Sequence, residues 1–175
     1  MKWGYGLVFF LLMACGSAHH LQDSGAPTEI TGIWRRQCFS LSRGGYGKDS
    51  LDLGNTVFDS DQDAYSDSGC TKHVASYHFA GKYALGTGTI DLDLQFLEVT
   101  LDQQSDVDTY NTYAICGASN WAVGVKKECP NSKKTLYQIY ATEGSQLYFG
   151  KLAGQDPDSP EKRPTSLDRD RPYTK

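Results

Sequence analysis

The stretch Thr89-Ile90-Asp91-Leu92-Asp93-Leu94-Gln95-Phe96 alternates apolar and polar side chains without interruption. Successive side chains of a β-strand point to opposite faces, so this pattern predicts a long strand with one buried and one solvated face. After this stretch the apolar residues occupy the odd positions, namely Leu97, Val99 and Leu101. An inserted residue changes the phase of a strand in this way, and we therefore predict a β-bulge near Phe96.

The same alternation recurs on both sides of this stretch, and helical periodicity is nearly absent. Gly86-Thr87-Gly88 supplies a turn to the preceding strand, and Thr142-Glu143-Gly144-Ser145 is a four-residue connection that favours a second hairpin. The predicted strands span residues 29–39, 57–65, 77–85, 89–101, 110–115, 121–125, 136–141 and 146–152.

About eight strands joined by short turns predict an all-β fold, either a closed barrel or a two-sheet sandwich. The up-and-down order favours an antiparallel barrel over residues 29–152. The remaining segment, 153–175, is charged and contains proline. We expect this segment to be either a disordered tail or an extended wrap that packs Leu167 and Tyr173 on the barrel.

The length of 175 residues is that of one ordinary domain. The formal net charge of -4 and the absence of a clustered Lys/Arg face in the central region argue against a nucleic-acid partner.

The N-terminus has the pattern of a secretory signal, because Lys2 precedes a short apolar run that ends in Leu12-Met13-Ala14-Cys15. This ending is similar to the lipobox of bacterial lipoproteins. The resemblance implies a signal peptide over residues 1–14, cleavage before Cys15 and a diacylglyceryl group on the Cys15 thiol. Residues 15–28 would then be a flexible tether to the membrane. Gly16, in place of an aspartate, favours the outer membrane of a Gram-negative bacterium.

The other cysteines, Cys38, Cys70, Cys116 and Cys129, are even in number, and the signal directs the chain to an oxidising compartment. We therefore expect two disulfides. The sequence allows three pairings, of which we favour Cys38 with Cys70 and Cys116 with Cys129, because each closes a local segment rich in turn residues.

The first predicted strand contains Gly32-Ile33-Trp34, and at this point the chain resembles the lipocalins, whose first strand begins with Gly-x-Trp. The resemblance implies an eight-stranded up-and-down barrel in which Trp34 plugs the closed end. Gly-Ile-Trp-Arg-Arg-Gln-Cys, Tyr65-x-Asp67-x-x-Cys70 and Tyr77-x-Phe79-x-Gly81 are also similar to the lipocalin-like extracellular domain of the adenomatosis polyposis coli down-regulated protein family, which includes bacterial relatives.

Aromatic residues make up 12% of the chain, and several occupy predicted inward positions. An eight-stranded barrel either fills its interior with side chains or holds one small ligand. The candidate cavity residues are Trp34, Tyr77, Phe79, Tyr83, Phe96 and Trp121.

The sequence contains no recognised catalytic or metal-binding motif, so we expect neither an enzyme nor a cofactor. Asp59, Asp61 and Asp63 have the spacing of a calcium loop, but the sixth position is Ala64 and the twelfth is Cys70. His73 and His78 are five residues apart, which on a regular strand places them on opposite faces.

These observations predict a cell-envelope lipoprotein whose barrel binds or shields a small lipophilic molecule or lipid. The alternative is a non-catalytic protein-interaction or structural module with a filled barrel. In that case the basic loop at 126–134 or the charged segment 153–175 would contact another envelope protein.

Overall fold

The computed structural model of the protein describes residues 28–41, 44–152 and 156–175. The predicted signal segment, Cys15 and the tether as far as residue 27 lie outside the described residues. The strands within the described ranges are β1 (Gly32–Ser40), β2 (Tyr46–Leu53), β3 (Val57–Tyr65), β4 (His73–Gly86), β5 (Thr89–Leu101), β6 (Lys127–Glu128), β7 (Lys134–Glu143), β8 (Gln146–Phe149) and β9 (Tyr173–Thr174). One α-helix, α1 (Gln104–Thr112), follows β5. No helix in these ranges is long and apolar enough to cross a membrane.

Eight of these strands form a closed antiparallel ring. Strands β1 to β5 pair in sequence, β5 pairs with β7, β7 with β8, β8 with β9, and β9 with β1. The short strand β6 pairs only with β5, outside this ring. The prediction of an all-β, up-and-down antiparallel barrel is therefore confirmed.

The β4–β5 pair contains the predicted bulge. Ala80 lies opposite Phe96 and Gly81 lies opposite Leu94, so Gln95 is the extra residue. A Cβ atom at position 81 would lie 2.1 Å from the carbonyl oxygen of Asp93, and this close approach requires glycine. The bulge keeps apolar side chains facing inward along both halves of β5.

A compact core closes one end of the barrel. Trp34 is 1% exposed, and its indole N–H donates to the carbonyl oxygen of Ile30 at 2.7 Å. The ammonium group of Lys175 lies 4.4 Å from the centre of the Trp34 ring. On the neighbouring wall, the Tyr83 hydroxyl donates to the carbonyl oxygen of Gly54 at 2.6 Å. These contacts satisfy the polar atoms of two large buried aromatic residues.

Both disulfides have the favoured pairing. Cys38 bonds to Cys70 with a Cα–Cα distance of 5.8 Å, and Cys116 bonds to Cys129 with a Cα–Cα distance of 4.7 Å.

The strands expected at 110–115 and 121–125 are wrong. Residues 102–133 instead form a connecting segment that contains α1, a 3-10 turn at Ile115–Gly117 and β6. The helix is nine residues long, and its buried residue is Val107. A helix this short and polar shows little amphipathic periodicity, which explains why the sequence does not reveal it.

The barrel extends beyond the expected boundary at residue 152. Residues 156–175 run along the barrel wall, where Leu167 forms a bridge with Gly150, and they end in β9, which fills the gap between β1 and β8. Tyr173 from β9 is 8% exposed and belongs to the core. The segment therefore follows the extended alternative and also supplies the last strand.

Candidate functional site

The barrel contains a partly open cavity of about 740 Å³, which borders the core that contains Trp34. Its wall is mainly apolar, since the inward positions of β3, β4, β5 and β8 carry large hydrophobic side chains. Representative lining residues are Phe58, Phe79, Leu92, Leu94, Leu97 and Phe149. Small-molecule sites in proteins measure about 300–1,000 Å³ and have mostly apolar walls with a few polar groups. This cavity fits that description.

One polar cluster in the wall is centred on Asp49, which is 7% exposed and points inward from β2. The Arg36 guanidinium donates to Asp49 Oδ2, with an Nε–Oδ2 distance of 3.1 Å. The Tyr173 hydroxyl donates to the same oxygen at 2.8 Å, and Gln62 Nε2 donates to Oδ1 at 2.9 Å. A buried carboxylate needs such donors to offset the loss of its hydration.

Aromatic rings hold the Arg36 guanidinium in place. Its central carbon lies 3.8 Å from the centre of the Phe39 ring and 4.4 Å from that of Tyr173. Burial raises the pKa of the Tyr173 phenol far above its ordinary value of 10.0, and nearby Asp49 raises it further, while Arg36 lowers it. Tyr173 therefore stays protonated and acts as a hydrogen-bond donor to Asp49.

The remaining cations of the cavity wall are also paired. Arg171 Nε donates to Asp168 Oδ2 at 2.7 Å, and the Lys134 ammonium group lies 2.7 Å from Asp156 Oδ2. Because Arg36 pairs with Asp49, every cationic residue that lines the cavity in the described part of the chain has a carboxylate partner. The charged groups of the lining therefore balance.

Two buried acceptor atoms of the wall have no hydrogen-bond partner. These are Gln138 Oε1 and Asp168 Oδ1, and their residues are 7% and 6% exposed. Both residues line the cavity. Buried polar atoms are nearly always hydrogen-bonded, so the pair requires an explanation.

The connecting segment contributes one side of the cavity through Cys116, Asn131 and Ser132. A second buried cluster anchors this segment, and in it the Tyr110 ring meets the Trp121 ring edge-on at 5.1 Å. Burial is the main reason that the pKa of the Tyr110 phenol is raised above its ordinary value of 10.0. The Cys116–Cys129 disulfide thus joins a residue of the cavity wall to this cluster.

Five of the six predicted cavity residues divide into three groups. Tyr77 and Phe79 line the cavity. Trp34 and Tyr83 belong to the core at the closed end, and Trp121 anchors the connecting segment.

Phe96 is a correction, because it lies on the outer face. Its ring packs edge-on against His78 at 5.8 Å between ring centres. The inward positions of β5 are even-numbered before the bulge and odd-numbered after it, as Leu94 and Leu97 show. The extra residue therefore turns Phe96 away from the interior.

The two histidines of β4 are a second correction, because both lie on the outer face. His73 contacts Asp63 and His78 contacts Asp61. The two aspartates are two residues apart and lie on the same face of β3. A register shift that skips Val74 brings His73 to the same face as His78. The two histidines nevertheless have different partners and do not meet.

Asp59, Asp61 and His78 form an exposed group whose nitrogen and oxygen atoms all lie within 4.8 Å of one another. Both ring nitrogens of His78 face carboxylates, Nδ1 at 2.9 Å from Asp61 and Nε2 at 3.5 Å from Asp59. Partial burial is the largest cause of a raised pKa at Asp59, and His78 acts in the opposite direction. The three side chains satisfy one another on the barrel surface.

Sequence reasoning missed the polar residues of the cavity. They come from β1, β2, β3, β7, the C-terminal segment and β9, and are Arg36, Asp49, Gln62, Gln138, Asp168, Arg171 and Tyr173. One usable signal exists, because Asp49 interrupts an alternating pattern that continues with Leu51 and Leu53. A charged residue at an inward position of a strand indicates that other polar side chains surround it in the interior.

Comparison of the chain with models of protein families gives no match, and comparison with curated proteins gives no matching sequence.

Proposed function

We propose that this protein is a lipid-anchored protein of the cell envelope whose barrel binds a small lipophilic molecule. The observation that carries the proposal is the cavity of about 740 Å³ with apolar walls and a few inward polar groups. Burial of apolar ligand surface in such a cavity is favourable by about 25 cal/mol per Å². A single-chain lipid or a compact hydrophobic molecule is a suitable occupant.

The cavity also bears on the alternative, a structural or protein-interaction module with a filled barrel. A filled interior leaves no space for a ligand, and its side chains would pack at the density of an ordinary core. The described residues instead leave a cavity beside the core around Trp34, and Phe58, Leu94 and Tyr173 belong to both. This cavity favours a ligand-binding barrel.

The proposed location rests on the lipobox-like Leu12-Met13-Ala14-Cys15. Each acyl methylene that enters the bilayer contributes about 0.8 kcal/mol, so the two or three chains of a bacterial lipid anchor hold a protein stably. The two disulfides are compatible with an oxidising compartment. A protein held there would take its ligand from, or deliver it to, a membrane.

A binding experiment with a cavity-filling variant tests the proposed function. We expect the protein to increase the fluorescence of N-phenyl-1-naphthylamine, a neutral dye that emits strongly in apolar surroundings. Leu92 lines the cavity, and Leu92→Trp should weaken dye binding roughly tenfold, the change that ~1.4 kcal/mol produces. The adjacent Asp93 is exposed, so Asp93→Trp should leave binding unchanged. Equal binding by both variants would count against the cavity as the site.

A further inference from the structure

Exposed apolar side chains gather at one end of the barrel. Five large hydrophobic residues are exposed in the described part of the chain, namely Ile33, Tyr113, Val123, Val125 and Leu152. Ile33 lies next to Trp34 at the closed end. The other four belong to chain that follows β5 or β8, at the opposite end of the barrel. We call this opposite end the open end.

The cavity extends to the open end. Its lining includes Leu41, which follows β1, and Ser132, which precedes β7. Leu152 lines the cavity and is also 39% exposed. The apolar wall of the cavity therefore continues to the surface of the barrel at this end.

A turn at residues 122–127, which we call the rim turn, lies at the open end. The Gly124 N–H donates to the carbonyl oxygen of Leu101 at 2.8 Å, and this bond fixes the turn beside the last residue of β5. Val123 and Val125 are 45% and 54% exposed. The rim turn therefore presents two apolar side chains to its surroundings.

Lysines accompany the exposed valines. Lys126 and Lys127 complete the rim turn, and residues 113–134 carry four lysines and one glutamate in a chain whose formal net charge is -4. The Lys126 side chain is 64% exposed and lies 3.3 Å from Glu98. An exposed ion pair of this kind is weak, so Lys126 can exchange Glu98 for a phosphate group.

The acidic residues beside α1 lie on a different side of the open end. Asp102 contacts His73 of β4 at 2.6 Å, and Asp106 lines a groove together with Tyr65 and His73. The rim turn instead leads into β6, which pairs with β5 on the edge opposite β4. The lysines of the rim turn are therefore separated from these carboxylates by β5.

We infer that the rim turn docks on an anionic phospholipid membrane, with Val123 and Val125 among the head groups and Lys126 and Lys127 beside lipid phosphates. Amphipathic surfaces bind membranes through this combination of apolar insertion and attraction of lysine to anionic lipid. A stable protein interface instead buries about 20–30 residues a side, so a short turn fits a lipid surface better. Docking would direct the cavity toward the bilayer, whichever ligand the cavity binds.

The anchor proposed at Cys15 is compatible with this orientation. The described chain enters the barrel at the closed end, where the Thr31 hydroxyl donates to the carbonyl oxygen of Gly54. A tether of residues 15–28 spans at most about 46 Å, whereas the nine residues of β1 span about 30 Å. The tether is therefore long enough for the open end to face the membrane that holds the anchor.

Cosedimentation with lipid vesicles tests the docking. The proposed mature chain, residues 15–175, carries Cys15→Ala, so that neither the apolar signal segment nor an attached lipid binds the vesicles. We expect this chain to bind vesicles of phosphatidylethanolamine and phosphatidylglycerol roughly tenfold or more tightly than vesicles of phosphatidylcholine. Lys126→Gln should weaken binding to the anionic vesicles roughly fivefold. Lys82→Gln, which removes an exposed lysine of β4, should not.

The valines have their own variants. Val123→Ser combined with Val125→Ser should weaken vesicle binding roughly tenfold, because less apolar surface enters the head groups. Ile33→Ser makes a similar change at the closed end, where Ile33 is also exposed, and should leave binding unchanged. Equal binding by these two variants, or no preference of the unaltered chain for anionic vesicles, would overturn the inference.

Fluorescence measures the insertion itself. Brominated phospholipid in the anionic vesicles should quench Val123→Trp well beyond the level seen with Ile33→Trp, and equal quenching would contradict docking by the rim turn. Capture of an envelope protein by a cross-linker at position 123, without vesicle binding, would also overturn the inference in favour of a protein partner. Vesicle docking without dye binding supports the inference and refutes the proposed ligand-binding function.

Discussion

The Tyr173 hydroxyl donates a hydrogen bond of 2.8 Å to Asp49 Oδ2, and the two residues are 124 positions apart in the chain. Tyr173 lies on the final strand, and Asp49 points inward from the second strand. The bond therefore links the closure of the barrel to the polar wall of its cavity. Arg36 stacks on the Tyr173 ring and binds the same carboxylate. The strand that closes the barrel therefore also supplies part of the polar wall of the cavity.

We predict that Tyr173→Phe destabilises the protein by about 1–2 kcal/mol, because the ring remains but a buried carboxylate loses a donor. Denaturant titration measures this change in the free energy of unfolding. Tyr113 is 75% exposed, so Tyr113→Phe is the matched control and should change stability by less than about 0.5 kcal/mol. Similar losses in the two variants would disprove the structural role of the Tyr173–Asp49 bond.

Stability should fall at alkaline pH, and Tyr173 should account for part of the fall. Burial raises the pKa of this phenol above 10.0 in the folded protein, while an unfolded tyrosine ionises near 10. The contribution is therefore fully present below about pH 10 and decreases as the pH rises further, because ionisation then favours the unfolded chain. Tyr173→Phe should show a shallower alkaline decline than Tyr113→Phe in the same titration.

The final strand is expected to be essential for a closed barrel. Removal of residues 172–175 deletes the pairing of β9 with both β1 and β8 and exposes the core around Trp34. We predict a loss of more than about 3 kcal/mol, the scale for removal of a buried aromatic side chain. The control chain lacks only Lys175 and keeps β9, so it should lose only about 1 kcal/mol, the scale of the contact between the Lys175 ammonium group and the Trp34 ring. Equal stability of the two shortened chains would show that β9 does not close the barrel.

The two disulfides should have different effects on ligand binding. Chain entropy predicts a stabilisation of about 4 kcal/mol for Cys38–Cys70 and about 3 kcal/mol for Cys116–Cys129. Cys116 lines the cavity, whereas Cys38 and Cys70 do not appear in its wall. Replacing Cys116 and Cys129 by serine should therefore weaken dye binding, and the Cys38/Cys70 double variant should retain it while folded. Peptide mapping without reduction checks the pairing in the unaltered protein.

Lipidation at Cys15 has a direct test. Cys15→Ala should abolish labelling by a radioactive fatty-acid precursor and release the protein from the membrane fraction. Cys38→Ser, which alters a cysteine of the barrel, should keep the label. Persistent labelling of the Cys15→Ala chain would refute the lipobox assignment.

Much of the fold is visible in the sequence because alternation and turn residues are local signals. The bulge near Phe96 and the hairpin turns at 87–88 and 144–145 were predictable for that reason. The predicted total of about eight strands included two errors at 110–115 and 121–125 and omitted β2 and β9. Asp49 and Gly47 occupy inward positions of β2 and obscure its pattern, and β9 is only two residues long.

The site was less predictable, because its polar groups depend on distant pairings. Tyr173, Gln62 and Arg36 come from three separate strands and acquire a common function only through Asp49. Hydrophobic periodicity identifies the apolar wall and does not report such partners. An acidic residue at an inward strand position is the feature of the sequence that best marks this site.

Native mass spectrometry of the protein purified from its own cell envelope tests the central claim most directly. We predict a non-covalent adduct of one small lipophilic molecule, lost in Leu92→Trp and retained in Asp93→Trp. An unaltered protein that is free of ligand in every gentle preparation would contradict the account.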